Sequence, residues 1–162
     1  MKRLLPNFVI VVLLGACALA QEPGTRVPSV EFAPIGKVQL KPGATTNVQL
    51  DFRVGSDFHV NSNKPKSELL IPTALKLNAV APLAIASVKY PVGEDISFPF
   101  APGEKLSVYS GDFSVTVTVK ALSTNAGGEY PVTGELHFQA CDRSACYPPR
   151  SIPVKFTVSV GK

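Results

Sequence analysis

Two cysteines with four residues between them stand in the run Phe138-Gln139-Ala140-Cys141-Asp142-Arg143-Ser144-Ala145-Cys146-Tyr147-Pro148-Pro149, and they are the residues of this chain best placed to do chemistry. A thiol pair can crosslink a fold, carry electrons or bind a metal. Closing so short a loop restricts the unfolded chain by about 2 kcal/mol, against roughly 4 to 5 kcal/mol for a loop near 100 residues. The pair is therefore a weak staple and a better candidate for a bond that opens and closes while the fold persists. An inert clip that stiffens a hairpin stays open as the alternative.

Other chemistries find less support. The spacing His137-x3-Cys141-x4-Cys146 matches no common zinc pattern, and His59 stands isolated. The only methionine is Met1, which leaves no thioether for copper. No metal and no cofactor is expected. A Gly-x-Ser-x-Gly elbow is absent and the carboxylates show no catalytic pairing, so hydrolase is the class with least support.

The compartment follows from the N-terminus. Lys2 and Arg3 precede the mostly apolar stretch Leu4 to Leu14, and Ala18-Leu19-Ala20 offers a small-residue cleavage site, so residues 1–20 read as an export signal. The apolar stretch is short for a membrane span, which needs roughly 20 residues, and nothing later approaches that length. The mature chain is expected not to cross the membrane. Leu14-Gly15-Ala16-Cys17 also resembles a bacterial lipobox, which gives Cys17 a second reading as a lipid anchor beside the plainer one of a small residue lost with the signal. An exported chain with an even pair of cysteines is expected to hold them as a disulfide. The formal net charge of +4 falls by two when Lys2 and Arg3 leave, and the remaining charges are scattered, which gives no support to nucleic-acid binding.

The elements that must position the pair are strands. Residues 21–36 carry Pro23, Gly24, Pro28, Pro34 and Gly36 and read as a tether or an irregular first edge, leaving 37–162 as one domain. Val48, Leu50, Phe52 and Val54 alternate with polar neighbours, as do Phe113, Val115, Val117 and Val119, and Val154, Phe156, Val158 and Val160. Weaker strands are expected near 57–61, 69–77, 83–90, 105–110 and 129–140. Eight or nine short strands, with turn signals at Pro42-Gly43, Pro102-Gly103 and Gly127-Gly128, indicate an all-β, immunoglobulin-like antiparallel β-sandwich. The segment 91–103 departs from the pattern. It is too rich in Pro and Gly to be expected to pair, yet it holds Phe98 and Phe100, which must cover something or plug the end of the sandwich.

The cysteine run resembles the active-site signature of the N-terminal periplasmic domain of the thiol:disulfide interchange protein DsbD. Asp57-Phe58-His59-Val60-Asn61, Ile71-Pro72-Thr73, Val88-Lys89-Tyr90-Pro91 and Leu106-Ser107-Val108-Tyr109-Ser110-Gly111 follow in the order and approximate spacing of that domain. The resemblance implies an immunoglobulin-like fold whose two cysteines cycle between dithiol and disulfide. It implies that Cys146 forms mixed disulfides with partners and that Cys141 resolves them, while Phe98 or Phe100 serves as the aromatic of a cap loop shielding the pair. Tyr147, next to Cys146, and Arg143, between the two cysteines, are candidate binding residues.

The resulting expectation is an exported thiol-disulfide carrier that passes electrons from a membrane or thioredoxin-like donor to thioredoxin-fold partners in the periplasm. It could be free or held as a membrane-anchored lipoprotein. The chain stops at Lys162, whereas full DsbD continues into further domains, so the electrons are expected from a separate protein, or else the role is lost. The rival expectation is a non-enzymatic secreted or lipid-anchored binding module in which the same disulfide is a clip.

Overall fold

A computed structural model describes residues 27–100, 102–122 and 127–161. The export signal, Cys17 and the first part of the tether lie outside the described residues.

Twelve strands account for the architecture of that part. The first sheet runs β1-β3-β9-β6, with β1 Val30–Phe32, β3 Thr45–Val54, β6 Leu83–Lys89 and β9 Asp112–Ala121, all antiparallel. The second runs β2-β12-β10-β5, with β2 Val38–Leu40, β5 Ala74–Ala79, β10 Gly128–Phe138 and β12 Arg150–Val160; here β2 lies parallel to β12 and the other pairings are antiparallel. The third is smaller, in the order β11-β4-β8-β7, with β4 His59–Asn61, β7 Glu94–Ser97, β8 Lys105–Ser110 and β11 Ala140–Cys141.

The alternation read from the sequence dictates the core. On β3 the side chains of Val48, Leu50, Phe52 and Val54 are buried, on β9 Phe113, Val115, Val117, Val119 and Ala121, and on β12 Val154, Phe156, Val158 and Val160. Period-two burial puts each set on one face, and the faces of the first two sheets close on a single hydrophobic cluster that also takes Val132, Leu136 and Phe138 from β10. Gly134 interrupts that series because β5 passes too close. A Cβ at this position would lie 2.0 Å from the carbonyl oxygen of Lys76. The fold is all-β and immunoglobulin-like, as the alternation predicts.

Several expectations need correction. Val30–Phe32, inside the stretch read as tether or irregular first edge, forms the edge strand β1, because Val30 and Phe32 pair with Val54 and Phe52 and Val30 is buried. The expected strand at 69–77 forms only from Ala74, since Pro72 cannot donate to a ladder and the chain before it turns, with the Leu70 amide donating to the Ser67 carbonyl at 3.2 Å. Part of the segment 91–103 does pair: Glu94–Ser97 forms β7 against β8 in the register Glu94↔Val108 to Ser97↔Lys105. Four of the seven residues between Pro91 and Pro99 extend as β7, and an edge position tolerates its flanks.

Candidate functional site

The cysteines sit where the chain changes sheets. β10 and β12 form a ladder of eleven pairs that ends at Phe138↔Arg150, and everything between is the loop that closes it. At Gln139 the chain leaves the second sheet, and Ala140–Cys141 joins the third by pairing with Val60 and His59 of β4. It then doubles back through Asp142-Arg143-Ser144-Ala145. The Asp142 amide donates to the Ala145 carbonyl at 2.9 Å and the Tyr147 amide to the Ala140 carbonyl at 2.9 Å. Cys141 and Cys146 therefore face each other as a non-hydrogen-bonded pair of a tiny hairpin, the arrangement in which opposed side chains are closest. Their sulfurs are bonded, and the Cα atoms lie 3.9 Å apart. Cys141 is 0 % exposed, whereas Cys146 is partly exposed.

Asp142 holds the turn together. Its Oδ1 accepts hydrogen bonds from the amides of Ser144, at 2.7 Å, and Ala145, at 2.9 Å, and its Oδ2 accepts the Tyr147 hydroxyl at 2.7 Å. The Tyr147 hydrogen bond, then the two amides, lower the carboxyl below the usual aspartate range, while the same carboxylate raises the phenol above its own. Tyr147 also packs edge-on against Phe58, with ring centres 5.8 Å apart. Arg143 stands exposed at the tip of the turn.

Gln139 anchors the loop from behind. Its side-chain oxygen accepts from Asn61 at 3.2 Å and from the Ile71 amide at 3.4 Å, and its side-chain nitrogen donates to the Tyr147 carbonyl at 3.3 Å. One amide side chain thus ties together both arms of the cysteine hairpin, β4 and the 62–73 loop. The sequence singles out Gln139 only as part of a motif; what it does requires the pairing of β11 with β4.

His59 is the larger departure from expectation. Read as isolated, it lies directly opposite Cys141 in the β4–β11 register and is only 4 % exposed. A tight turn at Gly55–Phe58, with Asp57 at φ 68°, aims the chain into β4. Burial lowers the His59 pKa to about 4, with the Asp142 carboxylate pulling weakly the other way. Its Nε2 is buried without a hydrogen-bond partner. His137 instead bonds Ser151 at 3.1 Å on the β10–β12 ladder. Among the described residues no group of three or more His, Cys, Asp or Glu side chains is arranged to hold a metal ion.

Phe98 begins the turn that joins β7 to β8, and its ring stacks on His59 with centres 4.0 Å apart and planes 17° from parallel. Phe100 continues the stack, 5.5 Å from Phe98. The three rings form a column beside the strand position that carries Cys141. The hairpin that carries them is fastened at its base. The Tyr109 hydroxyl lies 2.7 Å from Asn63 Oδ1 and 3.1 Å from the Pro91 carbonyl, and Lys66 pairs with Asp95 of β7.

This arrangement can be compared with known proteins. A family model described as the N-terminal part of the thiol:disulfide interchange protein DsbD matches residues 28–157. The chain belongs to that family. Thiol-disulfide exchange is the family's general chemistry, and this chain holds a Cys141–Cys146 disulfide. Among solved structures, the Neisseria meningitidis DsbD N-terminal domain in its reduced form is 19% identical, with 75% of this chain and 82% of that one covered and a TM-score of 0.43. The N-terminal periplasmic domain of ScsB from Proteus mirabilis is 9% identical, over 84% of this chain and 48% of that one, with a TM-score of 0.54. A type I cohesin, the seventh of ScaB from Pseudobacteroides cellulosolvens, is 18% identical over 78% of this chain and 88% of its own, with a TM-score of 0.50. No curated protein matches the chain. A cohesin resembles this chain in fold, so the fold by itself does not decide the chemistry. No helix among the described residues is long and apolar enough to cross a membrane.

Proposed function

We propose that this DsbD N-terminal-like domain is an exported carrier of reducing equivalents that exchanges disulfides with thioredoxin-fold partners in the periplasm. Cys146 is the sulfur that meets partners and Cys141 the one that resolves them. The observation that carries the reading is the asymmetry of the pair, with Cys141 fully buried and Cys146 partly exposed, on a turn outside the two facing sheets. A partner's disulfide can approach the second without displacing the first.

The exchange balances as follows. In the reduced domain the Cys146 thiolate attacks one sulfur of the partner's disulfide; a mixed disulfide forms, and the partner's other sulfur leaves as a thiolate and takes a proton. The Cys141 thiolate then attacks the Cys146 sulfur, re-forms the Cys141–Cys146 bond and releases the partner's second thiol. The partner gains two electrons and two protons, and a membrane or thioredoxin-like donor restores the dithiol by the reverse sequence. Phe98 and Phe100 act as the cap that keeps small oxidants from the dithiol. Tyr147 and the exposed Arg143 are the residues beside Cys146 for a docked partner to touch. Export follows from residues 1–20, with Cys17 as the lipid-bearing alternative.

Cys141→Ala should accumulate a mixed disulfide with an oxidised thioredoxin-fold protein, visible as a band of summed mass on a non-reducing gel, and Cys146→Ala should give none and transfer no electrons. The parent's reduction potential should lie between about −270 and −180 mV. A potential below about −300 mV, with neither variant altering exchange, would reduce the pair to a clip.

A further inference from the structure

In the oxidised domain His59 presents a polar atom with nothing to bond. Its Nε2 is buried and unpartnered, its ring lies under Phe98, and the residue across the ladder is Cys141. Directly opposed residues of an antiparallel pair carry their Cβ atoms about 4.5–5.5 Å apart on the same face, within reach of an imidazole and a thiol. A disulfide sulfur has no proton to donate, so the oxidised state leaves the nitrogen unsatisfied. A buried orphan of this kind costs free energy that is recovered when a partner arrives.

We propose that His59 is the hydrogen-bond acceptor that the Cys141 thiol acquires when the disulfide is reduced, and that it thereby makes the Cys141–Cys146 bond easier to reduce. This rests on the proposed carrier role. Reduction by a dithiol breaks the Cys141–Cys146 bond, forms the reductant's own disulfide, and transfers two electrons and two protons to the domain. One of those protons resides on the Cys141 sulfur, and that S–H donates to Nε2 of the neutral imidazole whose own proton is on Nδ1. Burial favours the neutral pair over a thiolate facing an imidazolium, in keeping with the lowered pKa of His59. The acceptor is satisfied only in the dithiol, so the dithiol is favoured. A carrier that must be recharged gains from such an arrangement, because its reduced form is held without tightening the grip of the hairpin on the disulfide.

The test is the equilibrium of the purified domain with dithiothreitol buffers, which requires no biological partner. His59→Phe keeps a flat ring for Phe98 to stack on and removes the acceptor, and it should shift the equilibrium about tenfold towards disulfide, a potential lower by about 30 mV. His59→Gln restores an acceptor of similar reach and should recover most of that shift. An H59F potential equal to the parent's overturns the proposal, and so does an equal shift in H59F and H59Q, which would mark a packing effect. The parent itself supplies a check free of any folding defect: the 15N shift of His59 Nε2 should change on reduction, and an unchanged resonance overturns the proposal. If the parent fails to exchange with thioredoxin-fold proteins, the carrier role falls while the H59F comparison still reads the hydrogen bond.

Discussion

At the scale of single residues, the site is a set of polar groups arranged around two sulfurs. Asp142 is the clearest case, since one carboxylate accepts two loop amides and the Tyr147 hydroxyl and so preforms the turn that brings the sulfurs together. Asp142→Ala should loosen that turn in the dithiol and lower the effective concentration of one thiol at the other severalfold, read as a less negative potential in dithiothreitol buffers. Asp142→Asn keeps an acceptor for the amides and should lose less. His59 sets a pH dependence of stability. Its folded pKa, about 4, lies below the ordinary value of 6.5, so between those values the unfolded chain binds more protons than the folded one. Stability should therefore be full above about pH 6.5 and decline as pH falls towards 4, with a slope of at most one proton. Asp51, Asp112 and Asp142, all lowered below 3.8 by hydrogen bonds from Ser114, Arg53 and Tyr147 respectively, add losses of the same sign at still lower pH. Denaturant melts of the parent and H59F across this range check the assignment: the decline from 6.5 to 4 should flatten in H59F, and the more acidic one should remain.

At the scale of elements, what the sequence could reveal depended on whether a strand alternates. β3, β9 and β12 each bury every second residue over seven or more positions, and the series that begin at Val48, Phe113 and Val154 locate them. β1, β2 and β4 have three residues each, too few for a period, and β4 buries all three because β8 and β11 flank it. The cysteine pair was legible because it needs only four intervening residues; His59 was not, because nothing local says that β4 will lie against β11. The β7–β8 hairpin was hidden by its prolines and glycines, and one of these glycines matters. A Cβ on Gly93 would lie 2.3 Å from Ser107 Oγ and 2.8 Å from Ser62 Cβ, so the chain entering β7 is pressed against the 62–73 loop. The Ser107 hydroxyl can rotate away but the Ser62 Cβ cannot. Gly93→Ala should therefore displace the base of the hairpin and with it Phe98. Alkylation of the reduced thiols by iodoacetamide should accelerate severalfold, and Phe98→Ala should accelerate it at least as much. Unchanged rates in both variants would show that the aromatic column does not shield the sulfurs.

At the scale of the whole molecule, the disulfide and the core are separate structures. The cluster that unites the first two sheets takes Leu50, Phe52, Val117, Leu136 and Phe156, among others, and β11 reaches it only through Ala140. Opening a loop this small returns about 2 kcal/mol of entropy to the unfolded chain. Truncating the fully buried Leu136 to Ala should cost 2–5 kcal/mol, the usual range for a core leucine that leaves a cavity. Reduction should therefore destabilise the domain by no more than one core truncation. The far-UV dichroism of the reduced protein should match that of the oxidised one, and its melting temperature should fall by less than about 10 °C. Leu136→Ala should lower the melting temperature by at least as much while leaving the potential of the pair unchanged, since Leu136 lies on β10 before the chain turns towards the cysteines. A reduced protein that unfolds cooperatively at room temperature would contradict this separation, and with it the idea that the bond can cycle inside a standing fold. Independence of the two is what a carrier requires, because every turnover breaks the bond and the sheets must outlast it.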